Sequence, residues 1–158
     1  MALDLPIETA KPEDAGEVLT VQRAAFLAEG EAYGTFRLPP LTETLDEIRA
    51  AIDDPDTVVL VARRAHRLVG AVRGTVVAGT GHIARLAVAP DLQGQGIARR
   101  LMAALERALA GRVTRFELFT GSTSEATLRL YHSLGYVDLD RRPASEITPA
   151  LAYLEKRV

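Results

Sequence analysis

The chain has 158 residues, 47% hydrophobic and 25% charged, with a formal net charge of −2, the profile of a soluble globular protein large enough to bury a proper core. Near-neutral charge and 5% aromatic residues argue against nucleic acid or an anionic membrane as a partner. With no cysteine, disulfides, thiolate metal sites and a cysteine acyl-enzyme are all removed.

His66, His82 and His132 are too far apart in sequence to form a local ligand pair, so no metal is expected. No apolar run approaches the roughly 20 residues that cross a bilayer. The start, Met1-Ala2-Leu3-Asp4-Leu5-Pro6, carries neither a basic region nor an apolar one. These features predict a cytoplasmic location. One domain over residues 1–158 is expected, since neither repeat nor linker is visible.

In chain order, residues 6–10 predict a short strand. Pro12-Glu13-Asp14 opens a helix over 13–28, because proline and acidic residues both suit a first turn. Residues 29–40, with Gly30, Gly34, Pro39 and Pro40, read as a loop. A second helix over 42–53 follows from the spacing of Leu45, Ile48 and Ile52. Strands over 57–62, 68–77 and 82–88, joined by short polar or glycine turns, predict an antiparallel meander. Ile97, Leu101, Leu105 and Leu109 mark a helix over 96–110, closed by Gly111. Residues 115–119 form a strand; Ser124 caps a helix through Tyr131 that ends at Gly135; residues 136–139 and 150–154 are two last strands that pair.

The strand–helix–strand unit over 82–119 requires a parallel pair with a right-handed crossover inside an otherwise antiparallel sheet. Two strand ends and a helix N-terminus converge there, which makes a natural ligand crevice. The turn Gln93-Gly94-Gln95-Gly96 lies at that point. Free amides of the first helical turn, two glycines and the helix dipole suit a pyrophosphate, although a similar turn can simply begin a helix. A P-loop is excluded because neither Lys nor Ser/Thr follows Gly96. A dinucleotide fingerprint is disfavoured, since Arg99 stands where its third glycine belongs and the turn begins several residues after the strand.

The stretch from Val88 to Met102 closely resembles the acetyl-CoA motif of the GNAT superfamily of N-acetyltransferases: Gln93, Gly96 and Ala98 fill its Gln/Arg, Gly and Gly/Ala places. Tyr131-His132-Ser133-Leu134-Gly135-Tyr136 resembles a second family feature. The resemblance implies an α/β (α+β) GNAT fold, with a mixed, mostly antiparallel sheet of six to seven strands, a splayed parallel pair at its centre and about four helices. It further implies direct transfer from acetyl-CoA, without metal, to a primary amine of a small molecule or peptide. The alternative is a CoA-binding sensor or regulatory domain of the same fold without turnover.

Carried over by that resemblance, the backbone of Leu86, Ala87 and Val88 holds pantetheine. The amides from Gln93 through Gly94, Gln95, Gly96, Ile97 and Ala98 hold the pyrophosphate. Arg99, Arg100 and Arg129 are candidates for the 3′-phosphate or are solvated helix charges. Tyr131 matches the family's general acid, the plainer alternative being a core tyrosine beside Leu128 and Leu134. His82 occupies the position of a base, with water as the alternative. Ser124 stands where the family often has Asn, which puts one side-chain contact to the cofactor in doubt. Glu29, Glu31, Tyr33 and Phe36 are candidates for gripping a cationic amine. The identity of that amine stays open, and a homodimer through a sheet edge or the last hairpin is compatible with the family.

Overall fold

The computed structural model describes residues 5–146 and 148–158. Met1 to Asp4, part of the segment read above for an export signal, lie outside the described residues. Among the described residues seven strands form one sheet: β1 (Ile7–Thr9), β2 (Thr57–Arg64), β3 (Arg67–Val77), β4 (Thr80–Val88), β5 (Arg115–Gly121), β6 (Val137–Arg142) and β7 (Leu151–Arg157). Their spatial order is β1-β2-β3-β4-β5-β7-β6. Every neighbouring pair is antiparallel except β4 and β5.

Among the described residues the α-helices are α1 (Ala15–Tyr33), α2 (Pro39–Thr42), α3 (Leu45–Asp53), α4 (Ile97–Leu109) and α5 (Glu125–Ser133). Strand alternation divides the core between the two faces of the sheet. Val59 and Val61 of β2 pack with Val18, Val21 and Ile48 under α1 and α3. Leu60 and Ala62 pack on the other side with Leu101, Met102, Leu105 and Leu109 of α4. The two-residue period in β2 and the helical period in α4 are therefore complementary halves of one packing scheme.

Two elements differ from the sequence expectation. The first helix continues past residue 28 to Tyr33, and Gly34, at φ 67°, ends it in the left-handed conformation that glycine favours. Gly30 lies inside the helix, where an added Cβ would meet Leu41 Cδ1 and the Thr35 carbonyl oxygen, each at 2.9 Å. It serves close packing and does not break the helix. The helix expected over 42–53 begins later, at Leu45, and the separate short α2 takes up the end of the expected loop. Pro39 and Pro40 start α2, and a capping box starts α3: Thr44 Oγ1 accepts from Glu47 N, and Glu47 Oε1 accepts from Thr44 N, both at 3.1 Å.

Candidate active site

The parallel ladder between β4 and β5 is short. It runs from Thr80 opposite Arg115 to His82 opposite Glu117 and then stops. β5 continues to pair with β7 as far as Gly121, and β4 with β3 as far as Val88. The two central strands therefore part, and the β4 edge from Ile83 onward makes no ladder with β5. A cavity of about 650 Å³ opens at this splay, within the size range of small-molecule sites.

One end of the cavity is the turn into α4. Gln93, Gly94, Gly96, Ile97, Ala98 and Arg99 line it. Gly94 and Gly96 have φ of 80° and 83°, and an added Cβ at either would have nothing within 4 Å. Left-handed backbone, more than crowding, is thus what requires glycine here. The first intrahelical bond runs from Arg100 N to Gly96 O, so the amides of the first turn are available to an anion. Gln93 Nε2 donates to Val88 O at 3.3 Å, fastening the turn to the end of β4. Gln95 is exposed and does not join the lining.

The strand residues divide by alternation. Leu86 and Val88 line the cavity, whereas Ala87 is buried in the core beneath α1 and α3. His82 is exposed, pairs across the last rung of the parallel ladder, and lies outside the lining. Its neighbours Gly81 and Ile83 are buried, with Ile83 in the core beneath α4, so His82 points from the opposite face of β4. The sequence could place His82 on the correct strand but not tell that the strands separate only after it.

Tyr131, 6% exposed, lines the cavity from α5. No described residue hydrogen-bonds its hydroxyl, and no side-chain oxygen is sealed without a partner, so the hydroxyl opens to the cavity. Burial pushes its pKa well above the ordinary tyrosine value, and the negative charge of Glu29 adds to the effect. The neighbouring Tyr136, at a ring-centroid distance of 6.0 Å, is different. Its hydroxyl donates to Glu106 Oε2 at 3.0 Å, and Lys156 Nζ holds the other oxygen of Glu106 at 2.8 Å. Tyr136 is engaged in structure, and Tyr131 is available for chemistry.

The other end of the cavity is formed by α1, α2 and the segment before β7: Ala25, Phe26, Glu29, Tyr33, Leu38 and Pro149 are among its walls. Ala25, Glu29 and Tyr33 share one helical face by their i, i+4 spacing. Burial pushes the Glu29 carboxyl above its usual range. Glu31 and Phe36, grouped with Glu29 in the sequence reading, are exposed and outside the lining. Ser124 precedes α5, but its hydroxyl does not cap the helix; it pairs with Tyr33 Oη at 2.8 Å. Arg100 and Arg129 are exposed and do not line the cavity. Among the described residues no group of three or more His, Cys, Asp or Glu converges to hold a metal ion, and no helix is long and apolar enough to cross a membrane.

The model of the acetyltransferase (GNAT) family matches residues 24–136. An acetyltransferase of Pectobacterium atrosepticum is 33% identical over 97 residues, covering 61% of this chain and 68% of that protein. The mycothiol acetyltransferase of Kineococcus radiotolerans is 33% identical over 96 residues, which is 59% of this chain but 32% of that longer protein. The PaiA N-acetyltransferase of Thermoplasma acidophilum, solved in complex with coenzyme A, has the same fold, with a TM-score of 0.81 over 99% of this chain and 100% of that one at 14% identity. With a splayed parallel pair, a glycine turn at a helix N-terminus and a family match over most of its length, the chain belongs to the GNAT acetyltransferase family.

Proposed function

We propose that residues 1–158 act as one cytoplasmic domain that transfers the acetyl group of acetyl-CoA directly to a primary amine in a ternary complex. The observation that carries this reading is a single cavity joining the free amides of α4 to the unpartnered hydroxyl of Tyr131. The amides from Gln93 to Ala98 suit the pyrophosphate, and Arg99 beside them suits a further phosphate. The open edge of β4 at Leu86 to Val88 suits an extended amide chain lying alongside it as an added strand. Acetyl-CoA supplies an activated thioester carbonyl.

The chain's own groups then handle the protons. An alkylamine is largely protonated near neutral pH and must lose a proton before it can attack. Glu29 lines the cavity and has a raised pKa, so it is better matched to accept that proton than an ordinary carboxylate; His82, outside the lining, is replaced in this role. As the nitrogen–carbon bond forms and the carbon–sulfur bond breaks, Tyr131 gives its proton to the departing sulfur, and the nitrogen, cationic after attack, releases its extra proton, which restores the Tyr131 phenol through solvent. The burial that raises the phenol pKa also raises that of a thiol leaving into the same cavity, so the donor keeps pace with its acceptor. The lack of cysteine accords with direct attack.

The test is calorimetric binding of acetyl-CoA, with CoA, NAD and ATP as controls, followed by thiol release with a panel of amines. Selective micromolar binding with amine-dependent thiol release is expected. Binding without turnover across the panel would favour a sensor domain, and preference for NAD or ATP would overturn the reading of the glycine turn.

A further inference from the structure

Three non-glycine residues among those described have positive φ. Ala65 and Ala78 occupy the turns between β2 and β3 and between β3 and β4, but Arg85, at φ 58°, is inside β4. Ala84 faces Arg73 and Ala87 faces Ala71, so Arg85 and Leu86 together oppose Val72 in a β-bulge. Holding an L-residue in this conformation is unfavourable, because its Cβ crowds the following carbonyl oxygen. Such conformations cluster where a side chain must be aimed at a ligand. This bulge turns Arg85 into the lining of the cavity.

Charge counting supplies a second, independent observation. The Glu43 side chain, 9% exposed, is already occupied. Arg73 grips it through Nη1 to Oε2 at 2.9 Å and Nη2 to Oε1 at 2.7 Å, and Gln22 Nε2 donates to Oε1 at 3.0 Å. Arg85 reaches the same oxygen only through Nε at 3.4 Å. Two guanidinium groups thus share one carboxylate, and Glu47 adds only a weaker attraction. Nη1 and Nη2 of Arg85 have no hydrogen-bond partner among the described residues, and neither is sealed from solvent. A guanidinium fork with both terminal nitrogens free is matched in shape and charge to a carboxylate.

We propose that Arg85 binds a carboxylate of the acceptor, so that the amine acetylated is one of amino-acid type. This rests on the acetyltransferase reading above and adds its substrate class. Glu29 and Arg85 line the same cavity and offer the ammonium and the carboxylate of one zwitterion a partner each. A polyamine would instead bring positive charge to Arg85, and a plain alkylamine would leave its fork empty.

The experiment compares the standard L-amino acids with their primary amides, the corresponding decarboxylated amines, and the polyamines spermidine and putrescine. At least one amino acid should turn over with kcat/KM ten-fold or more above that of its amide. Arg85→Gln should raise the KM of the acid at least ten-fold and reduce the acid-over-amide preference to less than three-fold. Arg85→Lys should recover part of it. Acetyl-CoA binding to each variant shows whether the fold and the cofactor end are intact. Turnover of polyamines or amides equal to or better than that of the acids would overturn the proposal while leaving the acetyltransferase reading in place. So would an equal loss for acid and amide in Arg85→Gln, or acetyl-CoA binding with no amino acid acetylated. Failure of acetyl-CoA to bind the unmodified chain would instead remove both.

Discussion

The hydroxyls of Tyr33 and Ser124 lie 2.8 Å apart, tying the last turn of α1 to the residue before α5. Thr123 Oγ1 also donates to Tyr33 Oη at 3.1 Å. Tyr33 therefore crosses from the wall formed by α1 to the wall carrying Tyr131. Gly121, at the end of β5, makes the crossing feasible, because a Cβ there would collide with the Tyr33 hydroxyl. Gly121→Ala is expected to destabilise the protein by about 1–3 kcal/mol through overpacking. Tyr33→Ala loses the two hydrogen bonds but removes the whole ring that a Cβ at Gly121 would strike, so the double variant should be more stable than the sum of the single losses. A double-mutant cycle from denaturant titrations measures this coupling; strict additivity would show that the two residues do not oppose each other.

The neighbouring tyrosines make an internal control. Tyr131→Phe removes the hydroxyl that opens to the cavity and should lower kcat by about 10²- to 10⁴-fold, with the acetyl-CoA dissociation constant nearly unchanged. Tyr136→Phe breaks the bond to Glu106 and should cost about 1 kcal/mol of stability while keeping kcat within a few-fold. Steady-state kinetics with calorimetry on both variants decides it. An unaltered kcat in Tyr131→Phe would reduce that residue to a core side chain.

The sheet was legible because β2 is a β-branched run that sends Val59 and Val61 to one face and Leu60 and Ala62 to the other, and α4 repeats leucines at helical spacing. The glycine turn was legible because its chemistry is local. What escaped depends on distant segments. Gly30 reads as a helix breaker until Leu41 is seen packed against it. Nothing local announces that Arg85 takes a left-handed conformation, and its partner Glu43, with the Arg73 that already grips that carboxylate, comes from distant segments: the link between α2 and α3, and β3. That His82 lies outside the cavity lining depends on the rung at which β4 and β5 part, a register property that no short motif encodes.

The two turn glycines are required by conformation, since nothing crowds the space a side chain would occupy at Gly96. Substitution cost should therefore follow tolerance of positive φ and not side-chain volume. Gly96→Asn should lose less stability and less acetyl-CoA affinity than Gly96→Val, because Asn visits the left-handed region and a β-branched residue resists it. The Val variant should lose about 1–2 kcal/mol or more. Thermal midpoints and calorimetric affinities test the order. The reverse order would mean that the turn is held by side-chain contacts.

Glu29 separates stability from activity through pH. Burial raises its pKa in the folded protein above the ordinary glutamate value of 4.5, so the folded state retains a proton that the unfolded chain releases. Folding is favoured by this group at pH below 4.5, and that contribution is lost as pH rises through the raised folded value. At neutral pH the ionised carboxylate is thus a cost to the fold. Glu29→Gln should raise the thermal midpoint at neutral pH and leave it little changed in acid. The same variant should lower kcat/KM and abolish the acid limb of the pH–rate profile, which in the unmodified enzyme falls above the ordinary glutamate range. Gain of stability with loss of rate is the combination that marks a carboxylate held out of water for its proton. A variant that lost both would show Glu29 to be a structural residue, and one that kept the acid limb would move the base to another group.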